Sequence, residues 1–150
     1  MTVHIKNKQL EKGTNASQYN PYGNPYIELN KIGTYQDYIY KNGGNWYLHK
    51  EFNKVDLGSL TWSYNATGRV FCAELNPSPP THTNTTKADA YCSKYPITTW
   101  SGKTDKSAQI FYAYVNGINI EDETYTDART FKSSISGTEL VYRIATQTNT

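Results

Sequence analysis

Residues 35–51 admit one local fold. They read Tyr-Gln-Asp-Tyr-Ile-Tyr-Lys, then Asn42-Gly43-Gly44-Asn45, then Trp-Tyr-Leu-His-Lys-Glu. Two runs rich in aromatic and β-branched side chains around an Asn-Gly signal make a tight antiparallel hairpin, because the turn residues supply the positive φ angles of a two-residue connection. Upstream, Tyr26, Glu28 and Asn30 alternate with Ile27 and Leu29, the period of two of a strand. Strand-like runs recur at 60–64 and 69–75, parted by the turn cluster Asn65-Ala66-Thr67-Gly68, then at 109–115 and 140–145. Asn116-Gly117 is a second hairpin candidate, leading into 118–120. Asn76-Pro77-Ser78-Pro79-Pro80 opens a polar stretch to about residue 90, predicted as a long exposed loop because prolines cannot donate to a ladder. Residues 88–94 predict one or two helical turns. A second short helix, capped by Thr126 or Asp127, runs through Ile135 with Gly137 as its stop.

Short strands at regular spacing with one or two short helices predict an all-β fold, an antiparallel β-sandwich of jelly-roll or lectin-like kind. A chain of 150 residues suits one compact domain. Residues 1–25, with one apolar stretch at Val3 to Ile5 and then a Gly/Asn/Ser/Pro-rich tract, read as a lead-in strand or linker to a sandwich module at 26–150. Composition tests whether such a chain folds at all: 37% of residues are hydrophobic and 19% charged, with mean hydropathy −0.74. Fourteen tyrosines, three tryptophans and four phenylalanines resolve that question in favour of a globular fold, since each ring buries enough area to offset chain entropy.

The same composition narrows the partners. No apolar run is long enough to span a bilayer, and Met1 to Lys6 lacks a secretory hydrophobic region, so a soluble product with no membrane insertion is expected. A net charge of +2 with scattered lysines gives no strong attraction to nucleic acid. Cys72 and Cys92 read as two reduced, mostly buried thiols. The alternative is a disulfide closing about 20 residues, worth about 3 kcal/mol. With His4, His49 and His82 they show no metal-ligand spacing, and no metal or other cofactor is expected.

Catalytic motifs are lacking: there is no Gly-x-Ser-x-Gly, no recognisable Cys/His pairing and no phosphate-cradling glycine loop. No enzyme activity and no catalytic residues are therefore expected. The acidic cluster Glu121-Asp122-Glu123, with Asp127 nearby, lies in a predicted loop without a calcium-loop pattern; it reads as a solvated charge run at a helix start, with cation binding as the alternative. Aromatic residues near loops offer more. A pyranose presents a C–H face that lies on Trp or Tyr, while its hydroxyls need polar side chains. Trp62 and Tyr64 precede the Asn65 turn, and Tyr91, Tyr95 and Trp100 flank a polar segment. These rings, with Asn65, Asn84 and Asp89 as hydrogen-bonding partners, are the candidate carbohydrate site. The competing reading packs the same rings across strands or into the core, as expected of Trp46 and Tyr47 beside the hairpin turn.

Residues 25–51, PYIELNKIGTYQDYIYKNGGNWYLHKE, resemble a block of minor structural proteins from the tails and baseplates of phages and prophages of Gram-positive bacteria. Residues 127–132 followed by 139–146 are similar to the closing segment of those proteins, where a short helix precedes a strand. The chain departs from the common pattern at Asn30, where a cysteine is frequent, and through Pro77 to Pro80. The resemblance implies a receptor-binding module of a tail or baseplate, made in the bacterial cytoplasm and carried on the virion. It implies contact with host cell-wall polysaccharide and other tail proteins, and a trimeric assembly. Two other functions stay open beside glycan adhesion: a structural spacer or oligomerisation domain without ligand, and a glycan-cleaving tail enzyme with two facing carboxylates.

Overall fold

The computed structural model describes the backbone of residues 3–6, 9–12 and 26–150, and side chains from Ile27 onward. Most of the predicted lead-in at 1–25 lies outside the described residues; within it, β1 (Val3–Lys6) pairs antiparallel with β2 (Gln9–Lys12). The chain divides into two compact units, Met1–Phe52 with Thr146–Thr150, and Asn53–Ala145. No helix among the described residues is long and apolar enough to cross a membrane.

In the first unit, β3 (Tyr26–Ile32), β4 (Tyr35–Asn42) and the part of β5 (Asn45–Asp56) up to Phe52 form a meander of antiparallel hairpins. The predicted hairpin is present. Asn42 pairs with Asn45, and Gly43 and Gly44, at φ 60° and 85°, take both positive-φ positions of the two-residue turn. The end of β11 (Glu139–Asn149) runs beside β5, where Leu48 and Thr150 exchange backbone hydrogen bonds of 2.8 and 3.1 Å.

The second unit is the antiparallel sandwich with its short helix. One layer has the order β6 (Ser63–Asn65), β7 (Val70–Glu74), β10 (Asn116–Glu121), β9 (Ser107–Tyr112). The other contains β11 up to Ala145 and β8 (Ala90–Cys92), paired from Leu140↔Cys92 to Tyr142↔Ala90. Period two sorts the core. Phe71, Ala73, Ile118, Ile120, Ala108 and Ile110 from the first layer share one apolar cluster with Leu140, Tyr142 and Ile144 from the second. Helix α1 (Ala128–Ser134) closes that cluster with Phe131, and begins where predicted. Asp127 accepts from Thr130 N–H at 2.8 Å as N-cap, and Gly137 beyond Ile135 has φ 84°. Cys72 and Cys92 are buried and unbridged, and burial pushes the Cys72 thiol up to about 11, which leaves it unreactive.

Several sequence expectations need correction. Residues 88–94 are not helical: Ala90 to Cys92 are drawn into a ladder by β11, which outweighs local propensity. The strand expected at 60–64 starts only at Ser63, because the indole N–H of Trp62 donates to the Leu57 carbonyl (2.8 Å) in a 3-10 turn at Leu57–Ser59. Asn116-Gly117 is not a turn. Asn116 already pairs with Tyr112, so residues 113–115 make the connection. Gly117 serves a different need, since a Cβ there would collide with the Ala73 carbonyl and lie 2.8 Å from Glu74 Cα. The loop after Asn76 is mainly exposed as expected, with Pro79 and Ala88 buried.

Glu121 and Asp122 are not in a solvated loop. Both are 3% exposed at the end of β10, where Lys103 Nζ reaches Glu121 Oε1 at 3.0 Å and Lys106 Nζ reaches Asp122 Oδ1 at 2.7 Å. Opposite charges supplied by the 103–106 loop make that burial tolerable. Glu123 remains exposed.

Candidate functional site

The alternation of β3, β4 and β5 places Glu28, then Gln36, Tyr38 and Tyr40, then Tyr47, His49 and Glu51 on one face of the first unit. Register lines them up in rows: Glu28 beside Tyr38 beside His49, and Tyr40 beside Tyr47. The rings stack across strands, Tyr38 on His49 at 4.6 Å between centroids and Tyr40 on Tyr47 at 5.5 Å. A groove of about 570 Å³ opens along this face, lined also by Thr34 and Tyr35.

The groove exists because the strands stop pairing there. The β4–β5 ladder runs from the turn only as far as Tyr38↔His49. Beyond it, the buried Asp37 carboxylate takes the place of a backbone acceptor, receiving Glu51 N–H at 2.6 Å and Phe52 N–H at 3.0 Å through Oδ1. A bulge between Glu28 and Lys31 loosens the β3–β4 edge at the same level, and Asn30 Nδ2 donates to Asp37 Oδ2 at 3.3 Å. Asp37→Ala strips the acceptor from both N–H groups and is expected to lower unfolding free energy by about 2 kcal/mol. Asp37→Asn, which keeps Oδ1, recovers most of it; urea midpoints of the two variants make the check.

His49 is the electrostatic centre of the face. Its Nε2 lies 2.9 Å from Glu51 Oε1 and its Nδ1 2.9 Å from Asn149 Oδ1, an oxygen that also accepts from the Tyr40 hydroxyl at 3.4 Å. Both ring nitrogens face acceptors, so the doubly protonated imidazolium satisfies both at once. Burial works against the charge, but the hydrogen bonds to Glu51 and Asn149 and the charges of Glu51 and Asp37 raise its pKa above the ordinary histidine value.

The residues expected to bind sugar are placed elsewhere, in the second unit. Trp62 and Tyr95 are corrections: they are 8% and 2% exposed, with Trp62 edge-on to Phe131 at 5.1 Å and the Tyr95 hydroxyl donating to Asp122 at 2.6 Å, so both rings are buried in the core. Tyr64 is 40% exposed and leans on Phe71, while Tyr91 is 55% exposed on β8. Asn65 Oδ1 is engaged as acceptor for Gly68 N–H at 3.1 Å, closing its turn. The backbone carbonyls of Asn84 and Asp89 accept from Ser101 and Arg143 N–H, at 2.9 and 3.0 Å.

Part of the expected set does converge. Half-buried Trp100 stacks on Phe111 at 5.4 Å and meets Tyr114 edge-on at 6.1 Å, and Lys103 lies 5.5 Å from its ring centre. The Tyr114 ring covers Gly68 of the Asn65 turn. Trp100 thus reaches the Asn65 turn through Tyr114 and Asn84 through Ser101, but it already has Phe111 on one face and Lys103 beside it. Tyr91 and Tyr95 line a separate groove of about 460 Å³ with Lys87 and Lys94.

The groove of the first unit was missed because its tyrosines sit in regular strands, which reads as cross-strand packing. The signal was there: three successive strands set rings, two carboxylates and an amide on the same period-two face. Among the described residues no group of three or more His, Cys, Asp or Glu is arranged to hold a metal ion. Comparison with protein-family models, curated proteins and solved structures finds no match to the chain.

Proposed function

We propose that the chain is a non-catalytic module of a phage tail or baseplate protein that binds a glycan of the host cell surface through the groove of its first unit. The carrying observation is the composition of that face. Ring faces at Tyr38 and Tyr40 lie beside the polar ends of Glu28, Gln36 and Glu51, the pairing a pyranose needs for its C–H face and its hydroxyls. The segment that builds the groove, residues 26–51, falls within the block that resembles phage tail proteins. In this reading the module is carried on the virion, contacts other tail proteins and acts as a trimer. Each shallow site binds weakly, and repetition multiplies residence through effective concentration.

Chemical-shift mapping with fragments of Gram-positive cell-wall polysaccharide tests this. The expected result is saturable shifts at Tyr38, Tyr40 and His49, with affinity falling about 10-fold in Tyr38→Ala, the equivalent of about 1.4 kcal/mol of stacking. Trp62→Phe, buried in the other unit, leaves the affinity unchanged. No shift at millimolar sugar together with a stable oligomer supports the spacer function instead, and release of reducing ends would mark a glycan-cleaving enzyme.

A further inference from the structure

Resting on the reading of the groove as a sugar site, we propose that it selects an amine-bearing sugar over neutral sugars and excludes repeats carrying phosphate or carboxylate. The charges that face it decide this. Glu28 and Glu51 line the groove, and among the described residues no lysine or arginine does. His49 directs Nε2 at Glu51 and Nδ1 at Asn149, so neither ring nitrogen is left for a ligand anion. Lys31, paired with Gln36 past the bulge, is the nearest lysine by register on this face; it is exposed and does not line the groove.

Sites for phosphate and carboxylate are built from arginine forks, lysines or free backbone N–H groups. Here the N–H groups of Glu51 and Phe52 at the splayed end of the ladder are taken by Asp37. Besides rings, the described walls offer two carboxylates, Glu28 and Glu51, and neutral groups that both accept and donate: the Gln36 amide, the Thr34 hydroxyl and tyrosine hydroxyls. A protonated amine is a donor to each of them, and its charge meets the two carboxylates in partly desolvated surroundings where such an attraction exceeds that in bulk water. His49 already engages the Glu51 carboxylate, which leaves Glu28 as the group that distinguishes an amine from a hydroxyl.

The test is titration of the whole chain, followed by chemical shifts at Tyr38 and His49, with 2-amino, 2-acetamido and 6-phospho forms of glucose, galactose and mannose. The expected order places a 2-amino sugar at least 5-fold above its acetamido form, with the phosphosugars weakest. Glu28→Gln, which changes charge but not shape, reduces that ratio to about 1 by weakening the amino sugar more than its acetamido form. Raising salt from 20 to 500 mM shrinks the ratio in the same direction, by roughly half or more. An acetamido or phosphosugar bound as tightly as the amine, or a ratio untouched by Glu28→Gln, overturns the selectivity while leaving the sugar site standing. Absence of binding by every member overturns the sugar site itself.

Discussion

Asp122→Ala is expected to lower the unfolding free energy by about 3 kcal/mol at neutral pH, read as a shift of the urea midpoint at constant slope. The carboxylate is a shared acceptor inside the second unit: Tyr95 donates its hydroxyl at 2.6 Å, Thr124 its N–H at 3.0 Å, and Lys106 its ammonium at 2.7 Å. Lys106 is half exposed and returns to water when its partner is gone. Tyr95, at 2% exposure, has no such recourse, and its hydroxyl is left buried without an acceptor. Tyr95→Phe together with Asp122→Ala therefore costs less than the sum of the two alone.

The pH dependence has a definite sign. Burial acts to raise the Asp122 pKa, but hydrogen bonds from Lys106, Tyr95 and Thr124 outweigh it and hold the native value below the usual carboxylate range. A carboxylate depressed in the native state supplies its stability in full above its unfolded pKa, near 4, and loses it as pH falls through the native value. The stability difference between wild type and Asp122→Ala should thus narrow in the window below about pH 4. A difference that stayed constant across that window would contradict the ionised pairing. The deficit of Lys106→Met has the same sign, because the carboxylate left without its cation costs most at neutral pH and less once it is protonated.

Phe131→Ala has the other large effect, about 3–5 kcal/mol by the same urea measurement. Its ring is fully buried and stacked on Phe71 at 4.1 Å and 6°, with Trp62 edge-on at 5.1 Å and Tyr125 at 5.9 Å. This is the side chain through which a seven-residue helix, too short to be stable alone, is held to the sheet. Near-ultraviolet dichroism from Trp62 should fall along with stability. Phe131→Leu, which refills most of the volume, recovers more than half of the loss.

What could be read from the chain divides along the range of the forces involved. The β4–β5 hairpin and helix α1 were legible because their determinants lie within a few residues: Gly43-Gly44 between alternating runs, and Asp127 and Gly137 at either end of an amphipathic turn. Strand β8 was not, since its three residues owe their extended form to Leu140, Val141 and Tyr142, about 50 positions away. Glu121-Asp122-Glu123 looked like a solvated run because nothing local announces that Lys103 and Lys106 fold back onto it. For the site, the rings and carboxylates were visible but their common face was not used. The decisive clue was Asp37, a carboxylate on the row of Ile39, opposite the ring-bearing row. A charged side chain there signals that a ladder is being ended on purpose.

The first unit draws its strands from both sides of the second unit in sequence, and this has a consequence in time. His49 and Asn149 are 100 positions apart, so a ribosome adding 5–20 residues per second delivers the second about 5–20 s after the first. During that interval the nascent β5 has an open edge at Leu48, and the imidazole lacks the amide oxygen that anchors it. The face with which the protein would meet its ligand is completed only after the whole of the second unit has been made.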